Sequence, residues 1–188
     1  MSNVSYEISY LEAGLEVLES YLLADEIYWT ISTPPPRGFT AFPSLTLGRM
    51  LLAETKISNL SIGPVLDMQR KSSMKKIADL KLHWRVAWEE KTRREIKAYL
   101  NVWGSYLEEY SSKPEAHVDQ YSYEVTRRVI LDLLFQEVKK AEESDTQLIK
   151  DLDSRVLSSF KPGDFIWEKE FLPAFPLGKF WYLFGRLR

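Results

Sequence analysis

Two stretches of this chain decide its fold class. Residues 65–103 read VLDMQRKSSMKKIADLKLHWRVAWEEKTRREIKAYLNVW, and residues 115–161 read EAHVDQYSYEVTRRVILDLLFQEVKKAEESDTQLIKDLDSRVLSSFK. Neither stretch, of 39 and 47 residues, contains proline or glycine, the two residues that most oppose the interior of a helix. A protein of strands and tight turns needs such residues at short intervals, so both stretches predict long helices.

The amino-terminal region predicts a further helix with one apolar face. Its apolar residues recur at spacings of three and four, which places them in a single stripe along the helix. The stripe consists of Ile8, Leu11, Leu15, Leu18 and Leu22. Three consecutive prolines, Pro34 to Pro36, then break the helix, because proline cannot continue its hydrogen bonding.

Proline and serine mark the remaining helix boundaries. A second, shorter helix is expected near residues 44–59, and Pro64 suits the first position of a long third helix. The patterns S-x-x-E at 112–115 and S-x-x-Q at 144–147 predict capping boxes that begin a fourth and a fifth helix. The sequence therefore predicts an all-α bundle of about five helices, two of them long, in a single domain of residues 1–188.

The carboxyl-terminal segment is unlike the rest of the chain. Residues 165–188 hold 8 of the chain's 25 aromatic residues. Such a segment must be covered, because a fully exposed aromatic patch of this size is rare on a soluble monomer. We therefore expect the irregular, aromatic-rich segment 164–188 to pack on the helical bundle or on a second subunit, and in the second case the protein would be a homodimer.

The composition excludes several classes of function. The 188 residues include no cysteine and two histidines, which excludes disulfide scaffolds, thiol nucleophiles and a multi-histidine zinc site within one chain. The glycine motifs of nucleotide-binding loops, H-E-x-x-H and G-x-S-x-G are absent, so the sequence predicts no cofactor and favours a non-enzymatic role. No stretch reaches the ~20 apolar residues of a membrane span and the amino terminus has no secretory-signal pattern, so we expect a cytoplasmic protein.

A weak metal or acid–base site is one alternative function. Asp79, His83 and Glu90 are expected on one face of the third helix, and His117 and Glu124 lie seven residues apart in the fourth. If these faces met, two imidazoles and three carboxylates could bind a divalent ion. The paired E-x-x-H motifs of di-iron bundles are absent, however, and such side chains are common on solvated helix faces.

The charge distribution offers a nucleic-acid alternative. The net charge is −2, but residues 1–36 carry −6, residues 70–97 carry +6 and residues 108–153 carry −6. The basic stretch contains tryptophans as well as cations, so it could contact phosphates and bases. Its candidate phosphate ligands are Arg70, Lys71, Lys75, Lys76, Arg85, Arg93 and Arg94. The pI of about 5.8 and the spread of these cations round the helix favour charges that are solvated or paired within the protein.

The absent catalytic motifs, the many aromatic residues and the segregated charge predict a cytoplasmic helical interaction or scaffold protein without enzymatic activity. We expect its partner to be another protein or a second copy, bound through the aromatic carboxyl-terminal segment. A nucleic-acid-associated protein that uses residues 70–97 is the alternative. A weak metal or acid–base site around His83 and His117 is the second alternative.

Overall fold

The predicted helical fold class is confirmed. The computed structural model describes residues 3–39 and 41–188, and this part is 70% helical, with eight α-helices and a small two-stranded sheet. None of the helices in this part is both long and apolar enough to cross a lipid bilayer. The chain divides into two compact units, Met1–Glu95 and Ile96–Arg188, which we describe separately. The single domain of residues 1–188 stays a prediction.

Three helices and the beginning of a fourth make up the first unit. They are α1 (Asn3–Leu23), α2 (Leu47–Ser58), α3 (Pro64–His83) and the part of α4 (Arg85–Ser112) that ends at Glu95. Helix α1 contacts both α2 and α3. Its predicted apolar stripe is buried at Ile8, Leu11, Leu18 and Leu22 and half-buried at Leu15. The spacing of apolar residues thus predicts the buried side of α1.

The charged segment at the beginning of α4 pairs with groups inside the first unit. Lys91 Nζ donates to two backbone carbonyl oxygens just after α1, at 2.7 and 2.9 Å. Glu95 accepts hydrogen bonds from the backbone N–H groups of Leu47 at 2.6 Å and Gly48 at 2.9 Å, the first two residues of α2. Because the first N–H groups of a helix have no partner within it, Glu95 caps α2 from a distant position in the sequence.

The second unit contains the rest of α4 and four further helices. These are α5 (Pro114–His117), α6 (Tyr121–Glu124), α7 (Thr126–Glu137) and α8 (Glu143–Ser159). Helix α7 is apolar on almost all sides, which predicts a central position. Its buried apolar residues are Val129, Ile130, Leu131, Leu133 and Leu134. Helix α7 is therefore part of the core of this unit.

Both proline- and glycine-free stretches are interrupted where weak helix formers cluster. The first is broken at Trp84, between α3 and α4, and the second across residues 117–125, which include valines, tyrosines, a serine and an aspartate. Aromatic and β-branched side chains lose rotamer freedom in a helix, while serine and aspartate compete for the backbone hydrogen bonds. The described part therefore contains eight α-helices in place of about five.

The two predicted capping boxes are wrong. The Ser112 hydroxyl donates to the carbonyl oxygen of Glu108 at 3.0 Å, one turn earlier in α4, and Lys113 precedes α5 as its N-cap. Helix α8 already has Glu142 as its N-cap, so Ser144 lies inside its first turn. Neither Ser112 nor Ser144 is therefore the N-cap of the helix that the sequence pattern assigned to it.

The aromatic carboxyl-terminal segment folds onto its own unit in this structure. Strand β1 (Phe160–Phe165) pairs antiparallel with β2 (Phe184–Leu187), and two short 3-10 turns lie between them. The buried side chains of the segment are Phe171, Phe175, Phe180, Tyr182, Leu183 and Leu187. The sheet was not predicted from the sequence, because Pro162 and Gly163 indicate the end of α8 but also lie inside β1.

Gly185 in β2 has no room for a side chain. Its φ is +153°, and a Cβ at this position would lie 2.3 Å from the carbonyl oxygen of Lys161. We expect Gly185→Ala to lower the free energy of unfolding by about 1–3 kcal/mol, measured by urea denaturation. Gly178→Ala is the matched control, since its Cβ would meet nothing within 4 Å. Equal stability of the two variants would contradict the prediction.

Candidate functional site

One face of α3 presents several large apolar side chains to solvent. Six residues of α3 recur on it at alternating spacings of three and four, and Val86 follows at the same sequence spacing beyond the break at Trp84; all seven are exposed. This α3 outer face consists of Val65, Met68, Ser72, Lys75, Asp79, Leu82 and Val86. Its four apolar side chains are between 71% and 77% exposed. Single exposed apolar side chains are common, whereas several on one face indicate a binding surface.

Arg70 fixes the beginning of α3 to the end of α2. Its Nη1 donates to the carbonyl oxygens of Ile57 at 2.6 Å and Leu60 at 3.0 Å, and its Nη2 pairs with Asp67 in the first turn of α3. The last carbonyl groups of a helix have no hydrogen-bond donor within it. Arg70 supplies a donor to carbonyl groups at the end of α2 and orients α3 at the same time.

Helix α3 buries little of its surface. Within α3, all of whose residues the structure describes, only Ser73 and Ile77 are buried. Pro64 occupies its first turn, as the sequence predicts, and helix α1 contacts it. The fold therefore holds α3 in place through one side and leaves the α3 outer face uncovered.

The charges along α3 follow a simple order. Lys71 Nζ lies 2.7 Å from Asp67 Oδ2, and this hydrogen bond, together with the Arg70 pair, lowers the pKa of Asp67. Lys75 and Asp79 lie one turn apart in the middle of the helix, and both are exposed. The α3 outer face therefore has a charged centre and apolar residues at each end.

A groove of about 620 Å³ lies between α1 and α3. Its lining residues are Glu12, Leu15 and Glu16 of α1 and Ser72, Ser73, Lys76, Asp79 and Leu80 of α3. The polar side chains of the groove are two serines, three carboxylates and one lysine, so the groove is polar.

The metal candidates in the first unit lie on solvated surface. Asp79, His83 and Glu90 are all exposed. Glu90 lies beyond the break at Trp84, so it does not continue the helical spacing of the other two. The break thus weakens the argument that placed the three side chains on one face.

The metal candidates in the second unit have protein partners. His117 is half-buried, with Nδ1 3.9 Å from Glu109 Oε2, and Glu124 forms an ion pair with Arg127. Across residues 3–39 and 41–188, no group of three or more His, Asp or Glu side chains is placed to hold a metal ion. The five-residue metal site stays a prediction that metal analysis of the purified protein would test.

The basic candidates for nucleic-acid contact divide into paired and exposed residues. Arg70 contacts α2 as described, and Arg94 pairs with both the side chain and the backbone of Asp25. Lys71 pairs with Asp67, and Arg85 Nε lies 3.5 Å from Glu89 Oε1. Lys75 and Lys76 are exposed, and Arg93 is half-buried. The pairing reduces the cation density that a phosphate backbone would meet, and nucleic-acid binding stays a prediction.

A buried charge cluster in the second unit was not predicted from the sequence. Arg128 donates to both carboxylate oxygens of Asp153, from Nε at 2.7 Å and from Nη2 at 2.8 Å, and from Nη1 to Asp132 at 2.5 Å. Tyr182 donates to the other oxygen of Asp132 at 2.6 Å, and its ring lies 4.7 Å from the guanidinium. Buried groups with strongly perturbed pKa values often belong to active sites.

The partners of this cluster indicate a structural role. Burial raises the pKa of Tyr182, so its hydroxyl stays protonated as a donor. Burial also acts against the charge of Arg128, but its hydrogen bonds to Asp153 and the negative charge of Asp132 outweigh this effect, so the pKa of Arg128 is raised. The groups of the cluster bind one another, and Tyr182 belongs to the carboxyl-terminal segment. The cluster therefore connects this segment to α7 and α8.

The α3 outer face is visible in the sequence as a second set of positions at three- and four-residue spacing. It escaped prediction because its centre is polar, so the buried stripe that includes Ile77 and Trp88 dominates the apolar pattern of the same region. A comparison with known proteins adds no functional residue. No protein-family model, curated protein or solved structure matches this chain.

Proposed function

We propose that this is a cytoplasmic, non-enzymatic helical interaction or scaffold protein, and that the α3 outer face is its binding surface. One observation supports this most strongly: Val65, Met68 and Leu82 each expose more than two thirds of their side chains on one side of α3, and Val86 does so just beyond the break at Trp84. Transfer of such side chains from water to a partner is favourable by about 25 cal/mol per Å² of apolar area.

The spacing of these residues suits recognition by another helix. Side chains at alternating three- and four-residue spacing form the seam along which two helices pack knobs into holes. Lys75 and Asp79 at the centre would then set orientation and partner choice rather than affinity, as polar residues in such seams do. The proposal thus assigns affinity to the apolar ends and specificity to the charged centre.

A photo-crosslinking amino acid at position 82 tests the proposal. We expect irradiation of cells that carry this variant to give a discrete protein adduct, because Leu82 is at the exposed seam. The same amino acid at position 177 is the matched control, since Leu177 is also exposed but lies in the carboxyl-terminal segment. Denaturing gels and mass spectrometry identify the adduct. The absence of an adduct specific to position 82 would overturn the proposal.

A further inference from the structure

We infer that the partner of the α3 outer face is a second copy of this chain, paired through antiparallel α3 helices. This inference rests on the proposed function and names its partner. The α3 outer face is apolar at both ends and carries one positive and one negative side chain near its centre. Such an arrangement is complementary to itself when the second helix runs in the opposite direction, as an interface between two identical subunits requires.

The two central charges select the antiparallel orientation. In a parallel pair of identical helices, each residue faces its own copy, so Lys75 would face Lys75 and Asp79 would face Asp79. In an antiparallel pair, Lys75 of each chain can face Asp79 of the second copy. Two opposite-charge pairs then replace two like-charge pairs, and like charges in contact oppose association.

The same charges select the register. When Lys75 faces Asp79 of the second copy, Ser72 faces Leu82, and Met68 lies toward Val86 just beyond the break at Trp84. A shift by one heptad places Met68 opposite Asp79. The carboxylate of Asp79 would then face an apolar side chain and have no opposite-charge partner. The favoured register therefore pairs charge with charge at the centre and brings Met68 of each chain toward Val86 of the other.

The size of the surface predicts a weak dimer. Residues 65–86 span about 31 Å at the 1.5 Å rise of an α-helix. An interface built on one pair of such helices lies at the lower end of specific interfaces, below about 1,200 Å² of total buried area. We therefore expect association at micromolar or higher concentration rather than a permanent dimer.

A charge-swap series measured by sedimentation velocity tests the inference. We expect the wild-type chain to shift from monomer to dimer as its concentration rises through the micromolar range. Lys75→Glu and Asp79→Lys, each alone, are expected to raise the dimer Kd by about tenfold, because each turns two attractive pairs per dimer into repulsive ones. The double variant is expected to restore the wild-type Kd, which a damaged fold could not do.

Matched controls separate the possible results. Lys139→Glu also reverses an exposed lysine, but in the second unit, and is expected to leave the Kd unchanged. A chain that stays monomeric at all concentrations would overturn the inference, as would a dimer that the single charge reversals do not weaken or the double variant does not restore. A monomer that still gives an adduct with another protein at position 82 would overturn the inference while supporting the proposed function.

Discussion

Replacement of Arg128 by alanine is expected to lower the free energy of unfolding by about 3–5 kcal/mol, the largest effect of any change considered for this protein. Arg128 is 7% exposed, and its guanidinium contacts two aspartates and the ring of Tyr182. Its removal leaves the carboxylates of Asp132 and Asp153 partly buried without a counter-charge. Urea denaturation of the wild type and the variant measures the difference.

The neighbouring arginine provides a matched control. Arg127 pairs with Glu124 one turn earlier and lies 5.4 Å from the ring of Tyr123, so it does not join the buried cluster. Arg127→Ala is expected to cost about 1 kcal/mol or less. If both arginine variants lost the same stability, the cluster around Arg128 would not be what holds the carboxyl-terminal segment on its unit.

The sequence predicts the helical class well because local composition decides it. Long stretches without proline or glycine leave the backbone free to form consecutive helical turns, and the apolar spacing in α1 predicts which of its sides is buried. Helix ends are less predictable, since a serine such as Ser112 can bond to the preceding turn and one such as Ser144 can lie inside the first turn instead of at the N-cap.

Contacts between distant residues explain what could not be predicted. The pairing of β1 with β2 joins Phe160 to Leu187, and no local pattern specifies that match. The charges of residues 70–97 were expected to be solvated or paired within the protein, and Lys91 and Glu95 are buried with such partners; the burial of Arg128 was not predicted. Their burial depends on partners supplied by other helices and loops, and sequence spacing alone cannot identify those partners.

The candidate site, in contrast, consists of residues that are close together in the sequence. The seven positions of the α3 outer face are all within 22 residues, so the spacing was available from the sequence. Its exposure was not, because the same region carries two possible seams and the structure decides that the one with Ile77 is buried. The polar residues at the centre of the outer face made it the less apolar of the two.

Glu95 is expected to make the stability of the first unit depend on pH. Burial raises its pKa from 4.5 to about 7, although the Tyr21 hydroxyl, the N–H groups of Gly48 and Leu47 and the charge of Lys91 favour ionisation. The folded chain therefore binds more protons at this site than the unfolded chain between pH 4.5 and about 7. Its contribution to the free energy of unfolding is fully present below pH 4.5 and declines as the pH rises through 7, by up to about 3 kcal/mol.

A count of protons gives an independent reason for a neutral Glu95. The Tyr21 hydroxyl lies 2.9 Å from the carbonyl oxygen of Ile27 and also in hydrogen-bond contact with Glu95. A hydroxyl has one proton and cannot donate to both oxygens at once. When Glu95 is protonated, its carboxyl group can donate to the Tyr21 hydroxyl while that hydroxyl donates to the carbonyl oxygen of Ile27. Both the Glu95–Tyr21 contact and the Tyr21–Ile27 contact are then hydrogen bonds.

Two substitutions separate the capping role of Glu95 from its titration. Glu95→Ala leaves two buried N–H groups at the beginning of α2 without a partner and is expected to cost about 2–5 kcal/mol. Glu95→Gln retains one oxygen acceptor but cannot titrate, so its stability relative to the wild type should improve by about 2–3 kcal/mol between pH 5 and pH 8. Urea denaturation across this range measures both. If the difference between wild type and Glu95→Gln stayed constant with pH, Glu95 would be ionised throughout, and the N–H groups of α2 would outweigh its burial.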